Sequence, residues 1–127
     1  ESTSVTKVKF ATHYKFPVNH IKLKTVIDAL SKKIEHITFF TIMNDHDDET
    51  KINHHLEELK SHFPNLNIKT KIIHSNHSFA EIVHVTNPET LLIIQKGTRN
   101  LVDVISRKFT TNNILRSKLT PLLILPS

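Results

Sequence analysis

Histidine and carboxylate are the side chains through which this sequence could do chemistry. The 127-residue chain carries ten histidines and no cysteine. A disulfide framework, a zinc–thiolate site and a thiol nucleophile are therefore excluded. Metal binding needs ligands at matched spacing. His46 lies in Asn44–Thr50 (N-D-H-D-D-E-T), which lacks the glycine and the oxygen spacing of a calcium loop. It reads as a solvated loop. His55 and His62 bracket Glu58 at i+3 and i+4, but H-x-x-E-x-x-x-H matches no hydrolytic motif. They read as an exposed polar stripe opposite Ile52, Leu56 and Leu59. His74 and His77 fall at a strand end and in a cap region. No metal site is expected.

Catalytic arrangements are equally constrained. Gly97 is the only glycine, so a nucleophile elbow (G-x-S-x-G) and a glycine-rich phosphate cradle are both impossible. Serine, histidine and aspartate are present, but no pattern brings them together. The chain reads as a non-enzyme.

Charge points elsewhere. The formal net charge is +5, and residues 1–50 are balanced. The surplus sits between positions 96 and 118, where Lys96, Arg99, Arg107, Lys108, Arg116 and Lys118 face only Asp103. Such an excess either meets an anionic partner or forms a solvated basic face. Only Phe109 interrupts it, so the interleaved aromatics of a single-strand nucleic-acid binder are missing. Nucleic acid is not an expected partner. Neither is a membrane, since no apolar run approaches the ~18 residues of a span and the opening Glu1–Lys7 is polar.

The elements that must position these residues alternate between two periods. Val5–Thr12 reads as a strand, and Asn19 as the N-cap of a helix over His20–Glu35. That helix carries Leu23, Val26, Ile27, Leu30 and Ile34 on one face. Ile37–Met43 is a β-branched and aromatic strand. A second helix, with Ile52, Leu56, Leu59 and Phe63 inward, stops before Pro64. Ile68–His74 is a strand, Ser78–Val85 a short helix and Leu91–Gln95 an apolar strand. Leu101–Lys118 holds further helical turns, and Pro121–Leu125 is the last strand. The alternation predicts one α/β domain over residues 1–127, a three-layer, doubly wound sheet of five mostly parallel strands. Ligands of such sheets bind beyond the carboxyl ends of the strands. The expected rim is Ala11, Thr12 and His13, then Ile42, Met43 and Asn44, then the loop Lys96–Asn100.

The series of elements resembles the universal stress protein domain, a relative of flavodoxin-like sheets. The resemblance runs from Val5 to Ser127. It is carried by F-A-T-H-Y after the first strand, by L-L-I-I-Q-K-G-T-R-N, and by I-L-R-S-K-L-T-P-L-L-I-L-P at the end. The opening K-V-K-F-A-T-H-Y-K-F-P resembles the second half of tandem-domain members, so the chain reads as a single domain or as half of a tandem protein. Nucleotide-binding members carry G-x2-G-x9-G-[ST] after the fourth strand and an aspartate after the first. Here Gly97 matches the first glycine, Asn100 replaces the second, and Lys108–Thr110 fill the region of the third. His13 stands at the aspartate position. Ile42 matches the apolar residue beside adenine, and Thr110 or Thr111 the hydroxyl. Side chains at Asn100 and Lys108 crowd the amides that would face phosphate.

The resemblance with this degenerate nucleotide site implies a cytoplasmic, non-catalytic stress-response module for regulation or assembly. It implies no cofactor, and disfavours ATP. The alternative is an ATP, nucleotide or other anion sensor, free-standing or fused to a transporter, in which Lys96, Arg99 and Lys108 replace the lost backbone contacts. The expected partner is a second copy or a tandem domain, docked through the edge strand at Leu122, Leu123, Ile124 and Leu125, where no charge blunts pairing.

Overall fold

A computed structural model describes residues 5–30, 33–74, 89–95 and 122–125. Among the described residues five strands and two helices follow in the order β1 (Lys7–Ala11), α1 (His20–Leu30), β2 (His36–Met43), α2 (Glu49–Ser61), β3 (Ile68–His74), β4 (Thr90–Gln95) and β5 (Leu122–Leu125). They form one sheet of strand order β3-β2-β1-β4-β5. Every pairing in it is parallel. The expectation of an α/β chain built on a parallel sheet is met. The sequence segments proposed as helices at 78–85 and 101–118 lie outside the described residues.

Local chemistry explains the element ends. Asn19 caps α1, its side-chain oxygen accepting the Lys22 amide at 3.1 Å, which satisfies one of the orphan N–H donors of a helix start. Asp48 caps α2 by accepting from the amides of Thr50 and Lys51. At the other end of α2, His62 is the C-cap, and Pro64 pushes the preceding Phe63 out of the helical region. α1 is shorter than the apolar periodicity through Ile34 predicts. The amides of Glu35 and His36 donate to the Thr6 carbonyl, so the chain must already be extended there to enter the sheet. Strand pairing overrides helical periodicity at that point.

The two helices pack on one sheet face. Leu23 and Ile27 of α1 and Ile52, Leu56 and Leu59 of α2 join Val8, Phe10, Ile37, Phe39, Ile68 and Ile93 in one core. Phe39 sits at its centre, edge-on to Phe10 at 5.7 Å and to Phe63 at 5.8 Å between ring centroids. Each fully buried side chain of this size contributes about 1.5–3 kcal/mol over exposure. Alternation sends the other residues to the opposite face. There Ala11, Phe40, Ile73, Leu92 and Ile94 form a second buried cluster. β4 is buried towards both faces, which is why Leu91–Gln95 lacks a polar–apolar alternation.

Candidate functional site

Strand order places the crevice. The chain steps from β1 to β2 to β3 in one direction, then returns to the other side of β1 for β4 and β5. The reversal falls between β1 and β4, the place where sheets of this kind bind ligands. Thr12, immediately after β1, and Gln95, the last residue of β4, flank that point. Both are buried, at 0% and 1% exposure.

The floor of the crevice is a hydrogen-bonded relay. The Thr12 hydroxyl donates to Oε1 of Gln95 at 2.5 Å. The Gln95 side-chain nitrogen donates to the Pro17 carbonyl, which fixes the amide orientation because a carbonyl only accepts. With its one hydrogen committed, Thr12 can only accept from His55 Nε2, 3.0 Å away. The Nε2 of His55 therefore carries the proton, an assignment that follows from the network. Thr41 adds a further bond, its hydroxyl donating to the Thr12 carbonyl at 2.8 Å. The end of β1, strands β2 and β4 and helix α2 are thus joined through one threonine.

A second set of bonds closes the rim. His13 Nε2 lies 3.1 Å from Asp47 Oδ1, and its Nδ1 accepts the Lys15 amide at 3.2 Å. The acceptor role of Nδ1 leaves Nε2 as the donor to the carboxylate. The other Asp47 oxygen accepts the Asn44 amide at 3.0 Å, and the Lys15 ammonium stands 3.5 Å from Oδ1. Tyr14 stacks on His13 at 4.7 Å, and its hydroxyl accepts the Asp48 amide. The loop after β1 is clasped in this way to the loop after β2.

Electrostatics follow from these contacts. Burial by itself would raise the Asp47 carboxyl. The Asn44 amide, the His13 hydrogen bond and the charges of His13 and Lys15 outweigh it and hold the group below the usual range. His55 is pushed below its ordinary value, first by burial and then by His13, His20 and His54, against the pull of Glu58. The neutral imidazole that the relay requires is therefore the favoured form.

Of the residues read from sequence, Thr12 and His13 meet at this rim. Ala11 and Ile42 lie together in the second cluster on the opposite face. Lys96, Gly97, Arg99, Asn100, Lys108, Thr110 and Thr111 lie outside the described residues. Two readings need correction. His55 is not part of an exposed stripe, because it sits three residues after Ile52 at the edge of the buried face and turns its ring onto Thr12. Asp47 is not solvated, since its side chain is 1% exposed. Gln95, read only as the end of an apolar strand, is the third member of the relay.

Among the described residues no group of three or more His, Asp or Glu is placed to hold a metal ion. No described helix is long and apolar enough to cross a membrane. Comparison of the chain with protein-family models, curated proteins and solved structures found no match.

Proposed function

We propose that this chain is a universal-stress-type domain, doubly wound and flavodoxin-like, that regulates or assembles and neither catalyses a reaction nor holds ATP tightly. One observation carries the reading: the polar groups at the strand-order reversal are bonded to one another. Thr12 donates to Gln95 and accepts from His55, and both His13 nitrogens are engaged. A general base needs a lone pair in reach of its substrate, and a nucleophile needs such a base beside it. At His13 the lone pair is already taken by the Lys15 amide, and the Thr12 hydrogen is committed to Gln95, which supports a non-catalytic reading. His13 stands where the resemblance puts an aspartate, and it is tied to Asp47. Asn100 and Lys108, at glycine positions of the family's phosphate loop, support the same conclusion from sequence. The domain would then work by association, through the edge strand β5, with a second copy or a tandem neighbour.

Calorimetry with Mg-ATP on the whole chain tests this function. Binding no tighter than ~1 mM, about 4 kcal/mol, is expected. Micromolar binding would overturn the reading and favour a nucleotide sensor.

A further inference from the structure

Two histidines meet where α1 begins and α2 ends. His20 is the first residue of α1, and His62 is the C-cap of α2. Their rings lie 4.1 Å apart between centroids, tilted by 34°. Sequence spacing hides this pair, because the partner of His62 comes from another helix. Both residues are exposed, so dissolved ions reach them. Among the described residues no hydrogen bond or salt bridge engages either ring.

Helix formation does not require these imidazoles. The Asn19 side chain caps α1. At the end of α2 the capping group of His62 is its backbone N–H, which donates to the Leu59 carbonyl at 3.2 Å. The rings are therefore available for other chemistry. The charges acting on His20 are those of His62 and Glu58. Burial, followed by His62, holds His20 below its ordinary value against the pull of Glu58. At pH 7 His20 is thus neutral and presents a ring lone pair. Glu58 lies one turn before His62, at the i, i+4 spacing that shares a helix face.

The donor type narrows the ligand. Neutral imidazole suits zinc and its transition-metal neighbours, whereas magnesium and calcium take oxygen ligands. Two imidazole nitrogens on one tetrahedral zinc ion, each ~2.0–2.1 Å from it, stand about 3.4 Å apart. Rings already in contact reach that spacing by turning about their own side-chain bonds. No third histidine or carboxylate among the described residues is placed to complete a ligand set. Water fills the remaining positions, and Glu58 balances charge from farther out. Such a shell holds its ion less tightly than the three or four protein ligands of resident zinc centres. We infer that His20 and His62 form a site for an exchangeable zinc-class divalent ion, which bridges the start of α1 to the end of α2.

Titration of the full chain with zinc chloride, followed by calorimetry and by amide NMR shifts, tests the site. The tightest binding event should saturate below millimolar zinc, with shifts centred on residues 19–22 and 58–63. Magnesium chloride at equal concentration should shift neither segment. Because both side chains are exposed, the variant His20→Gln/His62→Gln should keep its fold by circular dichroism, and its zinc affinity should drop at least tenfold. His54→Gln, which removes another exposed histidine of α2, should bind as the unmodified chain does. The inference is overturned by any of four results: no saturable binding up to millimolar zinc, saturable shifts confined to other residues, undiminished binding by the His20/His62 variant, or an equal response to magnesium. None of these results depends on the ATP experiment, because the titration contains no nucleotide.

Discussion

The hydroxyl of Thr12 and the side-chain amide of Gln95 are hydrogen-bonded across the boundary where the strand order reverses, although 83 residues separate them in sequence. The bond ties the carboxyl end of β1 to that of β4 at the point where such sheets ordinarily open for a ligand. His55 approaches the same hydroxyl from α2, so a single oxygen reports on the docking of three elements.

Replacing Thr12 by valine keeps the shape and removes both bonds. The His55 N–H and the Gln95 carbonyl would then lose a buried partner, at a cost of about 1–3 kcal/mol. Thr12→Ser should recover most of it. Urea denaturation of the two variants checks this, and a Thr12→Val midpoint equal to that of the unmodified chain would refute the relay.

Stability should depend on pH through the histidines. The folded chain holds His55 and His20 below their ordinary values, in each case chiefly by burial. Between those lowered values and about 6.5 the unfolded chain binds more protons, so unfolding free energy rises with pH across that window. The protein should be more stable at pH 7.5 than at pH 5. His55→Gln should flatten the slope, since glutamine offers an amide N–H and does not titrate. A slope that is the same in the variant means another group is responsible.

Asp47 acts with the opposite acid–base character. Its carboxyl is held low despite burial, because the Asn44 amide and the His13 bond favour the charged form. That stabilisation is complete above the unfolded value near 4 and disappears as pH falls through the lowered folded value. Asp47→Asn should cost about 1–3 kcal/mol at pH 7, because one face of its amide presents hydrogens to a donor. It should also make acid unfolding shallower below pH 4. Denaturation midpoints at pH 7 and pH 3.5 separate the two effects.

Much of the fold is legible in the sequence because its signals are local. The run I-T-F-F-T-I-M marks β2 by β-branched and aromatic content. Asn19 announces α1, and Pro64 closes α2. The site is only half legible. Thr12 and His13 are found by a rule about strand ends, which needs no knowledge of partners. His55 and Asp47 are missed because their contacts lie 43 and 34 residues away, beyond any helical or strand period. A trace did exist for His55: it follows Ile52 by three residues, inside the stripe that Ile52, Leu56 and Leu59 define. Polar character alone argues for the surface at that position. For Asp47 there is no comparable pattern, since Asp45 and Asp48 beside it are the same residue type and only the turn geometry distinguishes them.

Assembly through β5 is the last expectation open to direct measurement. Among the described residues β5 is the terminal strand of the sheet and pairs only with β4, in parallel register from Leu92–Leu122 to Gln95–Leu125. Its outer edge thus offers backbone N–H and C=O groups to another strand, and the sequence L-L-I-L provides no charge to discourage pairing. The side chains are not interchangeable as probes. Leu125 is buried in the helix-side core and Leu123 packs against it, so a lysine at either position would report on folding. Ile124→Lys is the informative variant, with circular dichroism to confirm that the fold persists. Sedimentation velocity should find the unmodified chain dimeric at high micromolar concentration and the variant monomeric. A monomeric unmodified chain at that concentration would exclude self-pairing through this edge. A dimer that survives Ile124→Lys would move the interface to another surface.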